Sequence, residues 1–373
     1  MLRSFAPTEN RGIFDDLVEG GMIRVERSDL FDSGPGPVPQ HFEYDRVEGM
    51  MLGIAIGDAL GITTEGMVPA KRLELFGEIR DYIPNRYVNK PIGFPSDDTQ
   101  LAYWTLEQMI EDGRFIPVNV AKRFCQGKIF GIGHTVKQFI RNHKAGVPWY
   151  QCGPDSAGNG ALMRIAPMVI PHLADGTEDL WVDTALSAMI THNDAGSIAA
   201  CLAFVCILRQ LMVMDKAPDP HWWSKTYVKI ARDLEGDTRY QPRSGPLLGK
   251  YEGPLWKMVE ENVADAYSSN LSVKDACARW YSGAYLLETL PSVIYILMRY
   301  GHDPEEAIVR AVNDTKDNDT IAAIVGAAVG ALHGKKSMPP RWLNNLSGRT
   351  TDRDDGKVFE LLSRAKHAFM AAP

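Results

Sequence analysis

Cysteine is scarce and badly spaced for structure. The chain of 373 residues has five, Cys125, Cys152, Cys201, Cys206 and Cys277, and no Cys-x-x-Cys pair. An odd, scattered set excludes a disulfide framework and a structural zinc site, and its simplest reading is reduced thiols in a cytoplasmic protein. Long apolar runs are missing too. The most apolar late stretch, Ile321 to His333, has 13 residues, against the roughly 20 that a membrane span needs. Residues 1–32 mix charge with apolar side chains throughout and hold no signal-peptide core. The expectation is a soluble protein with no membrane partner. Positive charge is not in excess: 40 Lys and Arg face 47 Asp and Glu, a net charge of −7. Bulk charge therefore holds the chain to no nucleic acid. What remains is an ordinary globular balance, 45% hydrophobic and 23% charged, long enough for one large domain or two ordinary ones.

Residues 1–45 differ from the rest. They carry four arginines against nine carboxylates, a net −5 out of −7, and run into Gly34-Pro35-Gly36-Pro37-Val38-Pro39. That reads as an acidic N-terminal arm and linker ahead of a body over 46–373. Such a stretch reads either as a poorly ordered tail or, since it holds many apolar residues, among them Phe5, Ile13, Phe14, Leu17 and Phe31, as an arm that docks on its own body or on a partner.

Helical spacing dominates the body. It predicts helices over Arg46–Leu60, Thr99–Ile110, Gly160–Ile170, Ala195–Met214, Ala276–Tyr300 with a break at Pro291, Pro304–Asn313, Thr320–His333 and Lys357–Met370. Residues 235–256 read as a surface loop, and alternating strand patterns are scarce. The fold class is an all-α single domain. Glycine repeats every fourth residue at Gly49, Gly53, Gly57 and Gly61, and again at Gly326, Gly330 and Gly334. Since glycine weakens a helix by about 1 kcal/mol against alanine, two such stripes suggest backbones that approach closely, which would bring the loops at those helix ends together.

Two acidic segments stand directly ahead of apolar helices: Ser96-Asp97-Asp98-Thr99 and Asp317-Asn318-Asp319-Thr320. Each alone reads as a helix cap. As near-copies more than two hundred residues apart, they read as halves of one oxygen-ligand site. Hard divalent cations take carboxylate and hydroxyl oxygens, and four converging carboxylates would repel or protonate without cations. That charge suits two divalent ions; zinc is disfavoured because both segments lack His and Cys. Three further segments are candidates. Gly57-Asp58-Ala59-Leu60-Gly61 delivers Glu65. Ser156-Ala157-Gly158-Asn159-Gly160 is a turn whose backbone N–H groups could cradle a diphosphate or ribose. Thr191-His192-Asn193-Asp194 precedes a helix.

In this order, GDALGITTEG, SDDT, SAGNGALMRIAP, THND, ETLPSVIYILMRYGHDPEEAIVRAV and DNDTIAAIVGAAVGALHG, the segments resemble the ADP-ribosylglycohydrolase family from about Tyr44 to Gly334. That family includes the dinitrogenase reductase-activating glycohydrolase and the ADP-ribosylarginine hydrolases. The resemblance implies an all-α fold with two metal ions, usually Mg²⁺ and sometimes Mn²⁺. It implies Ser96, Asp97, Asp98, Asp317, Asp319 and Thr320 as metal ligands, and Glu65 at the metal centre. Ser156, Gly158, Asn159 and His192 would contact ADP-ribose. The implied activity is removal of ADP-ribose from modified protein side chains, arginine first. Some members protect against ADP-ribosylating toxins, so residues 1–45 are a candidate surface for such a toxin. Glu65 and Asp98 are the alternative catalytic bases. A metal phosphohydrolase and a purely binding or inhibitory protein are the rival classes. The chain departs from the family's usual Gly-Gly-Asp-Thr-Asp-Thr at Thr315, Lys316 and Asn318, and Lys316 sets a cation beside the site.

Overall fold

The computed structural model describes residues 10–84 and 89–370; Phe5 of the arm lies outside them. Among these residues β pairing is limited to three isolated bridges, and the fold is all-α. Helices Asp45–Gly61, Asp97–Asp112, Ala195–Leu211, Pro304–Asp314, Asn318–His333 and Lys357–Met370 stand where periodicity predicts them.

Three departures have physical reasons. Gly160–Ile170 is not one helix but two 3₁₀ segments, Leu162–Arg164 and Ala166–His172, because Pro167 and Pro171 supply no N–H for α-helical bonding. Pro291 does not break its helix. It lies buried inside Leu286–Tyr300, and the break falls earlier, where Tyr281 and Ser282 take φ of 74° and 45°. A proline near a helix start forfeits one backbone bond, which the burial of its neighbours outweighs. Helices Asn10–Glu19, Pro69–Phe76, Pro117–Phe124, His134–Lys144, Asp179–Thr191 and Pro220–Glu235 lie outside the predicted spans; Asp179–Thr191 is buried almost all round, so no apolar stripe marks it. By length and composition the segment Asp45–Thr64 is apolar enough to cross a membrane, yet 83% of it is buried within the protein. All five cysteines are free.

The glycine stripes meet. The helices Asp45–Gly61 and Asn318–His333 run antiparallel and pair Gly49 with Gly330, Gly53 with Gly326, Gly57 with Ala322 and Gly61 with Asp319. A methyl group on Gly49 would stand 2.5 Å from the Gly330 carbonyl oxygen, inside van der Waals contact. Only glycine lets the two backbones touch along this line. The antiparallel sense carries the C-terminal end of the first helix, with Asp58 and the turn to Glu65, to the N-terminal end of the second, with Asp317 and Asp319.

Described parts of the arm pack on the body. Helix Asn10–Glu19 buries Ile13, Phe14 and Leu17. Asn10 donates to the Phe115 carbonyl and to Asp183, at 2.9 and 2.6 Å. Further along, Trp181 Nε1 donates to the Ser33 carbonyl and Arg209 to the Gly36 carbonyl.

Gly53→Val would push side-chain atoms into the backbone of Gly326. We expect a loss of about 3 kcal/mol in urea denaturation; an unchanged midpoint would refute the backbone contact.

Candidate metal centre

Five carboxylates converge where the glycine helices end. Ligand oxygens of Asp58, Asp98 and Asp319 lie within 4.8 Å of one another, and so do those of Glu65, Asp317 and Asp319. Asp319 belongs to both groups. The two acidic segments singled out from the sequence are thus brought together, and Asp319 sits between two adjacent candidate cation positions.

Asp58 is the residue that sequence reasoning passed over. It is wholly buried and accepts from the Ser96 N–H at 2.8 Å, the Ser96 hydroxyl at 2.8 Å, the Thr99 N–H at 3.1 Å and the Thr99 hydroxyl at 2.6 Å. Helix Asp97–Asp112 therefore receives its N-terminal acceptor from another helix, while Ser96 makes no side-chain cap of its own. A signal was present: Asp58 is the one charged residue between Glu48 and Glu65, on a helix otherwise apolar.

The remaining candidates divide. Asp98 is buried, and Thr320 bonds to its carboxyl group. Asp97, half-buried, stands outside both groups, with a carboxylate oxygen against Gly131. Burial, then the charges of Asp58, Glu65 and Asp317, push its pKa up to about 8. Asp317 is pushed up to about 7 by burial. Burial raises Asp58, Asp98, Asp319 and Glu65 too, and neighbouring carboxylates add to it at Asp98, Asp319 and Glu65. Asp98 Oδ1 and Asp319 Oδ1 are buried without a hydrogen-bond partner. An orphaned buried carboxylate oxygen is costly, and divalent cations would relieve both the orphaned atoms and the mutual repulsion. The residues fit a pair of hard cations held by oxygen.

Of the predicted sugar-binding residues, Asn159 touches this cluster, and Ser156, Gly158 and His192 gather around the same turn. Asn159 donates to Asp317 Oδ2 at 2.6 Å and to the Thr289 hydroxyl at 3.0 Å, so it supports a carboxylate of the centre directly. The Ser156 hydroxyl lies 3.0 Å from that of Thr135 and accepts from the Gly158 N–H at 3.3 Å. His192 is buried beneath this turn. Its Nδ1 pairs with the Thr191 hydroxyl at 2.9 Å, and a methyl group on Gly160 would meet its ring at 2.9 Å. Burial, then Arg164, lower its pKa to about 3, so it is a neutral support for the turn.

Arg72 is the second residue missed. Its fully buried guanidinium donates to the Thr64 hydroxyl and to the carbonyls of Met67, Asn313 and Thr315, at 2.8–3.0 Å. It thereby ties the turn bearing Glu65 to the segment leading into Asp317. Asn318, one of the departures from the family pattern, donates to the Gly61 and Val312 carbonyls and to the Thr64 hydroxyl. A cleft of about 320 Å³ opens on Glu65 and Asp317, with Tyr281, Tyr285, Lys316 and Arg243 in its wall. Lys316 Nζ stands 3.8 Å from the centre of the Tyr281 ring and the Arg243 guanidinium 4.1 Å from that of Tyr285. A larger hollow of about 520 Å³, over Lys225, Lys229 and Glu260, shares no residue with the cluster.

Fold and site together define an all-helical protein built around a candidate oxygen-ligand cation centre. Residues 39–369 match the model of the ADP-ribosylglycohydrolase family, and the chain belongs to that family. It is 28% identical over 86% of its length to an uncharacterized protein of Archaeoglobus fulgidus, 98% of which is covered. It is 24% identical over 81% of its length to the ADP-ribosylarginine hydrolase Tri1 of Pseudomonas putida, 74% of which is covered. A solved structure titled ADP-ribosylglycohydrolase-related protein complex superposes with a TM-score of 0.62 at 25% identity, covering 88% of this chain and 98% of the other.

If cations relieve the cluster, Mg²⁺ at about a hundredfold excess over its dissociation constant stabilises the fold by about 2.7 kcal/mol, read as a rise in Tm. Asp319→Asn abolishes that rise. Asp58→Asn, which disturbs the support of Ser96 and Thr99, costs roughly 10–100-fold in cation affinity by calorimetry.

Proposed function

We propose that this protein is a metal-dependent hydrolase that releases ADP-ribose from modified protein side chains, with arginine the preferred acceptor. The observation that carries the reading is buried Asp319 shared between two carboxylate groups, one of which, through Glu65 and Asp317, opens on a cleft. Asp58, Asp98 and Asp319 would hold one ion and Glu65, Asp317 and Asp319 the other, with magnesium or manganese the cations that suit them. When bound, such a pair orients ribose hydroxyls and polarises a water molecule.

The chain's own residues do the rest. The Ser156–Gly160 turn presents its backbone to the ADP-ribose, held from below by neutral His192 and from the side by Asn159. Glu65 and Asp98 remain the candidates for taking a proton from the attacking water. Geometry favours Glu65, which is exposed at the cleft, whereas Asp98 is buried with its second oxygen 3.4 Å from the Ser96 hydroxyl. Departure of the leaving group builds oxocarbenium character on the ribose, and the surrounding carboxylates favour that positive charge. They also favour a guanidine that stays protonated as it leaves. Five free cysteines fit a reducing, cytoplasmic setting. A toxin partner for the arm would meet its exposed carboxylates, Asp16, Glu19, Asp29 and Asp32.

The test is incubation with an ADP-ribosyl-arginine protein, with and without Mg²⁺, reading the released product by mass. Free ADP-ribose that disappears in EDTA, and falls at least about a hundredfold in Glu65→Gln, is the expected result. Inorganic phosphate as the product would instead make the protein a phosphohydrolase, and full activity in EDTA would remove the cations from the mechanism.

A further inference from the structure

The arm lies ahead of the family match, which starts at residue 39, yet it reaches the rim of the candidate site. Two anchors fix its course. At one end, Phe14, Leu17 and Phe31 are fully buried, and Asn10 bonds to Asp183. At the other, Gly36 N–H donates to the Gly176 carbonyl and Val38 N–H to the Leu173 carbonyl, both at 2.9 Å. Between these anchors the chain crosses two turns that carry site residues.

Asn193, next to His192, is the junction. Its side chain receives the Arg24 N–H at 3.1 Å and donates to the Met22 carbonyl at 2.7 Å. Its backbone N–H donates to the Pro154 carbonyl at 3.0 Å. One residue thus clasps the arm on one side and, on the other, the turn leading into Ser156. The Arg24 guanidinium pairs with Asp155, immediately before Ser156. Two residues further on, the Glu26 N–H donates to the Leu234 carbonyl at 2.9 Å, and its side chain lies against Gly236, where the loop that brings Arg243 to the cleft begins. Apolar cover alone would need Phe14, Leu17 and Phe31 but not this paired clasp, nor contacts that fall on both rim loops.

We infer that the arm is a strap that holds the Asp155–Gly160 turn in its ligand-binding geometry, with Asn193 and Arg24 as positioning residues. Ordering the turn before the ligand arrives removes a cost that binding would otherwise bear. Arg24 and Asp155 are solvent-exposed and their ion pair is worth little by itself; the two bonds to Asn193 carry most of the effect. The inference rests on the reading that the Ser156–Asn159 turn receives ADP-ribose.

The experiment compares the full chain with Asn193→Ala and, as a surface variant with little reason to misfold, Arg24→Glu, the latter also combined with Asp155→Arg. ADP-ribose and Mg²⁺ affinities are measured by calorimetry, and amide hydrogen exchange is followed over 155–160. Loss of two hydrogen bonds in Asn193→Ala weakens ADP-ribose binding by about tenfold, speeds exchange in the turn and lowers Mg²⁺ affinity by no more than about twofold. The Arg24→Glu loss is smaller, and the reversed pair restores it. An ADP-ribose Kd within about twofold of the parent's, or exchange over 155–160 unchanged in both variants, overturns the strap. A parent protein that binds no ADP-ribose refutes the functional reading instead, and exchange then decides on the strap alone.

Discussion

Two helices touching backbone to backbone are the constraint on which everything else depends. Ordinary helices keep 8–10 Å between axes because side chains fill the gap. Here glycines at four-residue intervals on both partners remove those side chains along one line. The approach fixes more than distance. An antiparallel pair locked at Gly49–Gly330 and Gly53–Gly326 has one register, and that register sets Gly61 on Asp319. Carboxylates brought from sequence positions over two hundred residues apart then lie on one short stretch of the interface. The conformational freedom that glycine brings to the unfolded chain is offset by the extended contact it permits in the folded one.

Holding five carboxylates in a buried cluster opposes folding, and the surroundings show how the fold manages it. Asp58 is given four hydrogen bonds from Ser96 and Thr99, which offset its burial while it stays within ligand distance of Asp98 and Asp319. Asp317 has Asn159. Asp98 and Asp319 each keep one oxygen without a protein partner, and those are the atoms left for something outside the chain. Arg72 and Asn318 add a frame of donors aimed at backbone carbonyls, so the turn at Glu65 and the segment before Asp317 hold their places whether or not the cluster is charged.

Much of this is legible in the sequence. Six of the predicted helices lie within three residues of the observed bounds, and the repeated glycines with the paired acidic segments point to a close crossing. What escaped did so for identifiable reasons. Asp179–Thr191 is buried from Leu180 onward and has no exposed polar face to give a period. Pro291 reads as a breaker in isolation, but tertiary burial decides otherwise. Asp58 hid within an apolar helix, and Arg72 looks like any surface arginine in a short helix, since its partners are carbonyl groups that no side-chain pattern reveals. The arm's apolar residues left a tail and a docked segment both open; the fold shows that its described part packs on the chain's own body.

Asn159 occupies a position with a consequence beyond shape. Its amide belongs to the turn facing the proposed sugar, and the same amide donates to Asp317 Oδ2. A cation drawing on Asp317 would alter the acceptor that orients this turn, and a ligand seated on the turn would alter the field at Asp317. The two occupancies are then thermodynamically linked, and linkage is symmetric: whatever factor one ligand adds to the other's affinity, it receives back in full.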